Sequence, residues 1–333
     1  MKRFSIFLIA IVLGFTLLGF TGCKKGDTIR LNEVTHSIFY APLYTAINKG
    51  YFNDEGLTIE LTNGGGSDAS MTALLSGSAD IALMGPETNV YVISQGRTDY
   101  PVIFGQLTKR DGSFLVGRTA EPNFSWQNVA GKYFIGGRRG GSPAMSLEYA
   151  LKNNGLTPGT NVTLDLTVAF NMTVGAFEGG LGDYVTMFEP TASEYVAAGK
   201  GFIVASVGQE SGEVPFTCFS ANKSYLAANP QKIEKFLKAI MRGYNFIMNG
   251  ELDDVIDSLV PSFDGSSRTS IGYAVTSYKN IDAWMNTPIM QETAFTRLQD
   301  VMQGAGELTN RVDFADAVNN TFATKVMQDY FNI

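Results

Sequence analysis

The chain has 333 residues, of which 44% are hydrophobic and 17% charged, and its formal net charge is −7. This length can bury a large core and divides more naturally into two lobes than into one. The acidic balance and the lack of basic runs argue against nucleic acid as a partner. Cysteine occurs only at Cys23 and Cys218, which excludes a cysteine-based metal cluster. The sequence predicts neither a metal nor a cofactor.

The chain begins with a segment that is typical of export. A basic pair precedes the apolar run Phe4–Phe20, and a glycine then stands directly before Cys23. This order resembles a bacterial lipobox, although leucine is usual at the position held by Phe20. It predicts a lipoprotein signal peptide over 1–22, lipidation of the Cys23 thiol, and a tether over 23–28.

The alternative for the same segment is an uncleaved membrane anchor. Phe4–Gly22 contains 19 uncharged residues, which is about enough to cross a bilayer. In both cases the body of the protein is expected outside the cytoplasmic membrane of a bacterium, on the cell surface or in the periplasm, and held to that membrane.

The next feature along the chain is an internal repeat. ADIALMGPE, from Ala79, aligns with GDYVTMFEP, from Gly182, and similar strand and helix patterns precede both in the same order. Residues 29–87 and 131–190 are therefore each predicted to form a β-α-β-α-β unit. Strands that alternate with helices predict a parallel sheet covered on both faces in each of two lobes.

The segments outside the repeat predict how the lobes are joined. Val102–Arg118 is a β-rich connector to the second lobe, and strand patterns from Gly201 onward provide the return. The remainder is helical, starts with Asn229 and Pro230 as N-cap and first residue, and is expected to pack on the first lobe. The predicted fold is α/β and bilobal, with a two-strand hinge. Lobe I is expected to comprise 29–113 and 217–333, and lobe II 114–216.

In such a fold the loops that follow the carboxyl ends of the strands face a shared cleft. Each β-α-β-α-β unit contributes three of these loops, so six of them are expected to form one binding site. The predicted loops are Ser37–Tyr40, Gly64–Ser67, Gly85–Glu87, Gly136–Ser142, Phe170–Asn171 and Phe188–Pro190.

The first loop carries two aromatic residues and a serine. Phe39 and Tyr40 are predicted at the rim of the cleft with Ser37, because flat rings can hold a flat or apolar ligand. The alternative is that both rings pack against the first helix. The single histidine, His36, is interpreted as a packed residue next to the strand.

Two glycine-rich loops lead into helices and end at Ser67 and Ser142. Glycine lets the backbone approach a ligand closely, and a helix N-terminus offers unpaired N–H donors. Gly66 and Gly141, together with the two serines, are therefore predicted to contact the ligand. The alternative is that the serines only cap their helices.

Three polar residues of the second lobe extend the candidate site. Arg138 and Arg139 can each pair with an anion or with an acid across the cleft, and Arg138 is predicted as the contact. Asn171 is predicted to contact the ligand from the following loop.

Glu87 and Glu189 lie at nearly equivalent places in the two units and are expected to face each other across the cleft. Two carboxylates would repel an anionic ligand but could accept hydrogen bonds from amino groups. The pair therefore favours a nitrogen-bearing heteroaromatic ligand. The alternative is that each glutamate pairs with an arginine or caps a helix.

The sequence shows no arrangement of a nucleophile and a base. One histidine and one unlipidated cysteine, far apart in the chain, are poor material for Cys-His chemistry. The protein is predicted to bind its ligand without catalysis.

The stretches YAPLYTAINKGYFNDEGLTIEL, LLSGSADIALMGPE and the later FEP make a resemblance explicit. They resemble the solute-binding proteins of bacterial ABC importers for nitrate, taurine, alkanesulfonates and thiamine pyrimidines. The resemblance covers nearly the whole chain after the signal segment, and its motifs are specific to the family but not to a ligand. It implies a type II periplasmic-binding fold that closes around a small molecule.

The resemblance also implies partners. The expected partners are a small-molecule ligand and an ABC permease with its ATPase, and the protein is expected to be a monomer. The ligand is expected to resemble a thiamine-pyrimidine precursor, with nitrate, taurine or an alkanesulfonate as the alternative. The alternative of another class is a ligand sensor for a signalling partner.

Overall fold

The computed structural model of the protein describes residues 27–331 and contains two five-stranded sheets. The predicted signal peptide and Cys23 lie outside the described residues. The strands are β1 Asp27–Glu33, β2 Leu57–Asn63, β3 Ile81–Met84, β4 Pro101–Thr108, β5 Ser113–Gly117, β6 Tyr133–Ile135, β7 Thr163–Asp165, β8 Tyr184–Phe188, β9 Phe202–Ser206 and β10 Thr217–Asn222.

Helices connect and cover these strands. None of those within residues 27–331 has both the length and the apolar character needed to cross a membrane. The α-helices are α1 Ala41–Asn48, α2 Tyr51–Asp54, α3 Ser67–Leu75, α4 Glu87–Ser94, α5 Ser142–Asn153, α6 Thr173–Glu178, α7 Thr191–Ala197, α8 Val207–Ser211, α9 Lys223–Ala228, α10 Pro230–Asn249, α11 Leu252–Leu259, α12 Arg268–Asn280, α13 Glu292–Gly304, α14 Phe314–Ala317 and α15 Thr321–Val326.

The two sheets have the same arrangement. Their strand orders are β2-β1-β3-β10-β4 and β7-β6-β8-β5-β9, and the first three strands of each are parallel. The predicted β-α-β-α-β units are thus confirmed. The first strand begins at Asp27, opposite Leu57, and so includes the last two residues of the predicted tether over 23–28.

Each sheet also contains a strand from outside its β-α-β-α-β unit that is not parallel to the strands of that unit. The fourth strand of each sheet, β10 or β5, arrives from the other half of the chain and runs antiparallel to the central strand. The reason is geometric. A chain that crosses from the other lobe enters at the cleft edge, where the parallel strands end, and must therefore run the opposite way.

The chain crosses between the sheets at 109–112 and again at 212–216. The crossings are held together, because Val214 N donates to the carbonyl oxygen of Lys109 at 2.9 Å. Helix α8 packs closely here: a Cβ on Gly208 would lie 2.0 Å from the carbonyl oxygen of Asp111. We retain the lobe boundaries given above as a proposal.

The largest core lies between the first sheet and the helices on its outer face. Leu31 and Phe219 of the sheet and Phe236 of α10 are completely buried. The second sheet packs its own cluster, in which Phe134 and Leu147 are completely buried. The largest cluster also includes Phe114 and Val185 of the second sheet, so it continues from the first lobe into the second.

The C-terminal helices pack on the first lobe, as the sequence predicts, but they also contact the second. Helix α10 lies along α1, and α13 lies against α5. Lys152 donates to the Gly304 carbonyl oxygen at 2.7 Å, and Arg297 to that of Ser211 at 3.0 Å. Asn229 stands at the N-cap of α10, but its side chain donates back to the carbonyl oxygen of Tyr225 and does not cap the helix.

Candidate ligand-binding cleft

A cavity lies between the two sheets at the ends of their parallel strands. Its atom-free space is about 510 Å³ when the open mouth is included. All six predicted loops border it. The first three loops contribute Tyr40, the pair Gly66 and Ser67, and the pair Gly85 and Glu87. The fourth loop contributes Gly136, Arg138, Gly141 and Ser142, the fifth Phe170, and the sixth Phe188.

The two aromatic residues of the first loop have different positions. Tyr40 lines the cavity, and burial raises the pKa of its hydroxyl well above the usual range, so the hydroxyl stays neutral. Phe39 is completely buried and packs against other rings, with centroid distances of 5.0 Å to Tyr278 and 5.6 Å to Phe188. The predicted place of Phe39 at the rim is therefore wrong. Its ring lies over Gly112, where a Cβ would be only 2.5 Å away.

The residues predicted to contact the ligand do not include the three phenylalanines that form part of the cavity wall. Phe170, Phe188 and Phe216 all line it. Phe188 lies 5.8 Å from Phe170 and 6.1 Å from Phe216 between ring centroids. Phe170 and Phe188 lie in loops that the sequence predicts at the cleft, so their loop positions were a signal for both.

Glu87 is the acidic residue that borders the cavity. Its side chain is completely buried, and its carboxylate reaches the other lobe. The Ser142 hydroxyl donates to it at 2.5 Å and the Ser142 amide at 3.4 Å. Burial raises the pKa of the Glu87 carboxyl, against the opposing effect of these hydrogen bonds. Such a carboxyl can accept hydrogen bonds when ionised and also donate one when protonated.

Glycines make room for Glu87 and for close backbone contacts. A Cβ on Gly85 would lie 2.1 Å from a Glu87 carboxylate oxygen, so a larger residue cannot occupy this turn without displacing the carboxylate. The Ser67 hydroxyl accepts a hydrogen bond from Gly85 N at 3.1 Å, which joins the second and third loops. Gly66 and Gly141 border the cavity at the N-termini of α3 and α5.

Glu189 does not face Glu87, so the predicted pair of opposed carboxylates is wrong. The Glu189 carboxylate accepts hydrogen bonds from the amide of Ser193 at 2.8 Å and from its hydroxyl at 2.7 Å. It therefore caps α7 within its own lobe. Burial raises the pKa of the Glu189 carboxyl as well, and Ser193 opposes that shift.

Arg138 and Arg139 are neighbours in one turn, but their side chains have different partners. Arg138 lines the cavity, and its Nε lies 3.6 Å from a carboxylate oxygen of Asp68 on the other lobe. Arg139 is mostly exposed and pairs with Glu307 at 3.1 Å, away from the cavity. Arg138 is thus the arginine that borders the site.

The remaining predicted residues lie beside the cavity, in a neighbouring space lined by His36, Ser37, Asn171 and Glu189. The Ser37 hydroxyl donates to the carbonyl oxygen of Glu189 at 2.5 Å and so links the lobes. His36 packs against Tyr44 and Phe263, and its ring nitrogens lie 2.9 Å from Glu33 Oε1 and 2.7 Å from Ser262 O. This position agrees with the interpretation of His36 as a packed residue next to the strand.

Two similar lobes, a double crossing and a cavity formed by matched loops define a periplasmic-binding-protein fold. The chain belongs to the NMT1/THI5-like family, whose model matches residues 38–250.

Three comparisons place this family membership in context. The chain is 40% identical over 318 residues to "Putative binding protein YtlA" of Bacillus subtilis, covering 95% of both chains. It is 26% identical over 223 residues, 63% of each chain, to "4-amino-5-hydroxymethyl-2-methylpyrimidine phosphate synthase" of Aspergillus parasiticus. The fold matches the alkanesulfonate-binding protein SsuA of Xanthomonas axonopodis pv. citri, solved with MOPS, with a TM-score of 0.72, 15% identity and coverage of 89% and 99%.

Proposed function

We propose that the protein is an extracytoplasmic solute-binding protein of an ABC importer, and that it captures a small nitrogen-bearing heteroaromatic compound between its lobes. The observation that carries this proposal is the buried carboxyl of Glu87 on an aromatic-walled cavity. Tyr40, Phe188 and Phe216 offer faces and edges for a flat ring, and Glu87 offers an acceptor for an amino group on that ring.

The charge around the cavity favours this ligand over an anion. A buried carboxylate repels a sulfonate or nitrate strongly once water is excluded. Arg138 also borders the cavity and favours the anion, but Asp68 lies 3.6 Å from its guanidinium and balances part of its charge. The acidic group is thus buried, whereas the basic group is partly exposed and already paired.

The comparisons support both ligand classes to different degrees. A relative is named as a synthase of an aminopyrimidine phosphate, which supports a pyrimidine-like ligand. The alkanesulfonate-binding neighbour supports the alternative ligand through its fold only. We infer binding without catalysis, because the relative that matches 95% of the chain is named as a binding protein.

The mechanism that we propose is closure of the lobes. A ligand that contacts both lobes binds the closed form more tightly and shifts the equilibrium toward it. The closed form is then presented to a permease and its ATPase, with the protein acting as a monomer held to the membrane through lipidated Cys23. A ligand sensor would use the same closure, and genes for a permease and an ATPase beside this one would favour import.

A thermal-shift panel tests the ligand class. The panel contains 4-amino-5-hydroxymethyl-2-methylpyrimidine, thiamine, taurine, an alkanesulfonate and nitrate. We expect an aminopyrimidine to raise the melting temperature by several degrees at 100 times its Kd, with calorimetry giving a 1:1 complex. Stabilisation by the sulfonate alone would overturn the proposed ligand and establish the anionic alternative.

A further inference from the structure

A second space adjoins the ligand cavity on the far side of two phenylalanine rings. We call it the outer chamber, and its residues include Asn171, Thr173, Thr186 and Thr191. Thr35, Phe170 and Phe188 border both the outer chamber and the ligand cavity. The two spaces are therefore neighbours that share a wall.

The two rings of this wall are held unequally. Phe188 lies 5.6 Å from Phe39, 6.1 Å from Phe216 and 5.8 Å from Phe170 between centroids. Within residues 27–331, Phe170 contacts no aromatic ring other than Phe188. Both side chains are half-buried. A change of rotamer therefore disturbs one aromatic contact at Phe170 and three at Phe188, and Phe170 is the ring that can turn aside.

The charged groups beside the outer chamber already have partners. The Glu189 carboxylate is bound by Ser193, and both ring nitrogens of His36 are occupied by Glu33 and Ser262. The pKa of His36 is raised chiefly by its hydrogen bond with Glu33. An ionised Glu189 carboxylate keeps its negative charge when Ser193 donates to it, and His36 is already paired with Glu33. An anionic group in this chamber would therefore find no free cationic partner in either residue and would be repelled by Glu189.

The groups that remain for a ligand are neutral. Thr35, Thr186 and Thr191 contribute hydroxyls, and Asn171 contributes an amide. Thr186 lies on β8 and is nearly buried at 7% exposure, so its position is fixed by the sheet. Asn171 lies on the exposed side, and its amide nitrogen would be 3.6 Å from a Cβ on Gly65 of the facing lobe. The chamber thus presents hydrogen-bonding groups from both its buried and its exposed side.

We propose that the outer chamber receives a neutral, hydrogen-bonding substituent carried by the bound heteroaromatic ring, and that Phe170 turns aside to connect the two spaces. This inference rests on the proposed function, because the ring itself occupies the ligand cavity. It adds a specificity site in which a short chain ending in a hydroxyl or amide is preferred over an anionic group.

The test uses three probes that share a 4-amino-2-methylpyrimidine ring and differ at carbon 5. The substituents are methyl, acetamidomethyl and phosphonomethyl, and Kd is measured by calorimetry on the full-length protein. We expect the acetamidomethyl probe to bind about tenfold more tightly than the methyl probe, as one or two hydrogen bonds provide, and the phosphonomethyl probe to bind more weakly than both.

Two variants locate the effect in the outer chamber. Thr186→Val should reduce the affinity for the acetamidomethyl probe about fivefold and leave the methyl probe unchanged. Asn171→Ala changes an exposed side chain and should also weaken the binding of the acetamidomethyl probe selectively. It replaces Thr186→Val as the test if that variant does not fold. The matched control is Thr163→Val, which changes an exposed threonine of β7 in the same sheet.

The outcomes separate this inference from the proposed function. The binding role of the outer chamber would be contradicted if the methyl and acetamidomethyl probes bound equally. It would also be contradicted if Thr186→Val and Asn171→Ala reduced the affinity for both probes equally. Either result would leave the proposed pyrimidine site in place. Failure of all three probes together with binding of an alkanesulfonate would overturn both proposals. Unchanged probe preference in both variants would also contradict the assignment.

Discussion

Glu87 and Glu189 occupy nearly equivalent positions in the two repeats, yet their carboxylates have different roles. Glu87 crosses the cleft to Ser142, while Glu189 caps its own helix at Ser193. Their positions in the loops differ. Glu87 is the first residue of α4, whereas Glu189 directly follows β8 and lies two residues before α7. The two side chains therefore start from different points and reach different partners.

Replacement of Glu87 by glutamine tests its role in ligand binding. Glu87→Gln should weaken binding of 4-amino-5-hydroxymethyl-2-methylpyrimidine about 10- to 100-fold, since a hydrogen bond to a charged group is lost. Kd is measured by calorimetry. Glu148→Gln is the control, because it changes a largely buried carboxyl of α5 that pairs with Lys152 outside the ligand cavity and the outer chamber, and its Kd should change less than threefold.

The same pair of variants also distinguishes the ligand classes. Binding of an alkanesulfonate should be spared or improved in Glu87→Gln, because a buried negative charge is removed. A loss of sulfonate affinity in this variant would contradict the role assigned to Glu87.

Asp111 lies in the first crossing between the lobes and is completely buried. One carboxylate oxygen accepts from Ser113 N at 2.6 Å, while the other has no partner within residues 27–331. Burial raises the pKa of the Asp111 carboxyl to about 7, from an ordinary 3.8. Between these two pH values the folded protein holds a proton that the unfolded chain lacks, so Asp111 lowers the free energy of unfolding as pH rises through this window.

Asp111→Asn should remove this contribution. The wild-type free energy of unfolding should fall relative to that of the variant by roughly 4 kcal/mol between pH 4 and pH 7, and the difference should stay constant above pH 8. Urea unfolding at each pH measures it. Glu87 and Glu189 also have raised pKa values. Both residues are present in the wild type and in the variant, so their contributions to the pH dependence cancel in the difference. Parallel pH profiles would show that Asp111 is not protonated in the fold.

At the scale of elements, the packing of α10 on α1 depends on one glycine. Gly243 lies so close to α1 that a Cβ would be 2.1 Å from the carbonyl oxygen of Pro42, which is a backbone atom that cannot turn aside. The apolar periodicity of α10 predicts a helix with one buried face. It does not predict which residue of that face is the point of closest approach.

Gly243→Ala should therefore destabilise the protein by about 2 kcal/mol, because the cost of displacing α10 exceeds the gain in helix propensity. The measurement is the urea midpoint. The control is Gly304→Ala at the end of α13, where a Cβ meets nothing within 4 Å, and this change should be neutral or stabilising by up to about 1 kcal/mol. Equal effects of the two substitutions would contradict the close approach.

The repeat predicts the order of the elements but not every strand direction. Local patterns identify the two β-α-β-α-β units, since these units consist of consecutive segments. The antiparallel strands β5 and β10 each come from the other half of the chain. Their direction depends on where the crossing enters the sheet, which no local pattern records.

At the scale of the whole molecule, hydrogen bonds join the lobes around the cleft. The Tyr91 hydroxyl on α4 donates to the carbonyl oxygen of Gly140 at 3.0 Å. The amide of Glu189 donates to the Tyr278 hydroxyl of α12 at 2.8 Å. These contacts require the two sheets to lie in their observed relation, so they stabilise that relation.

Tyr91→Phe should shift the protein toward an open form, because one hydrogen bond between the lobes is lost. We expect a three- to tenfold weaker Kd for the ligand, with no direct contact removed. Small-angle scattering should show a larger radius of gyration without ligand and the wild-type value at saturation. Tyr273→Phe, at an exposed tyrosine of α12, is the control. An unchanged Kd with an unchanged radius would contradict a role for Tyr91 in closure.

Local periodicity predicts the two repeats and the order of their elements, and the rule that parallel strands end at one edge of a sheet predicts the six loops at the cleft. The choice of side chains that face the cavity depends on the tertiary structure. That structure placed Phe39 behind the wall, Phe188 in it, and Glu189 on its own helix. These choices depend on side-chain direction and on contacts between distant segments, which are settled only when both lobes pack together.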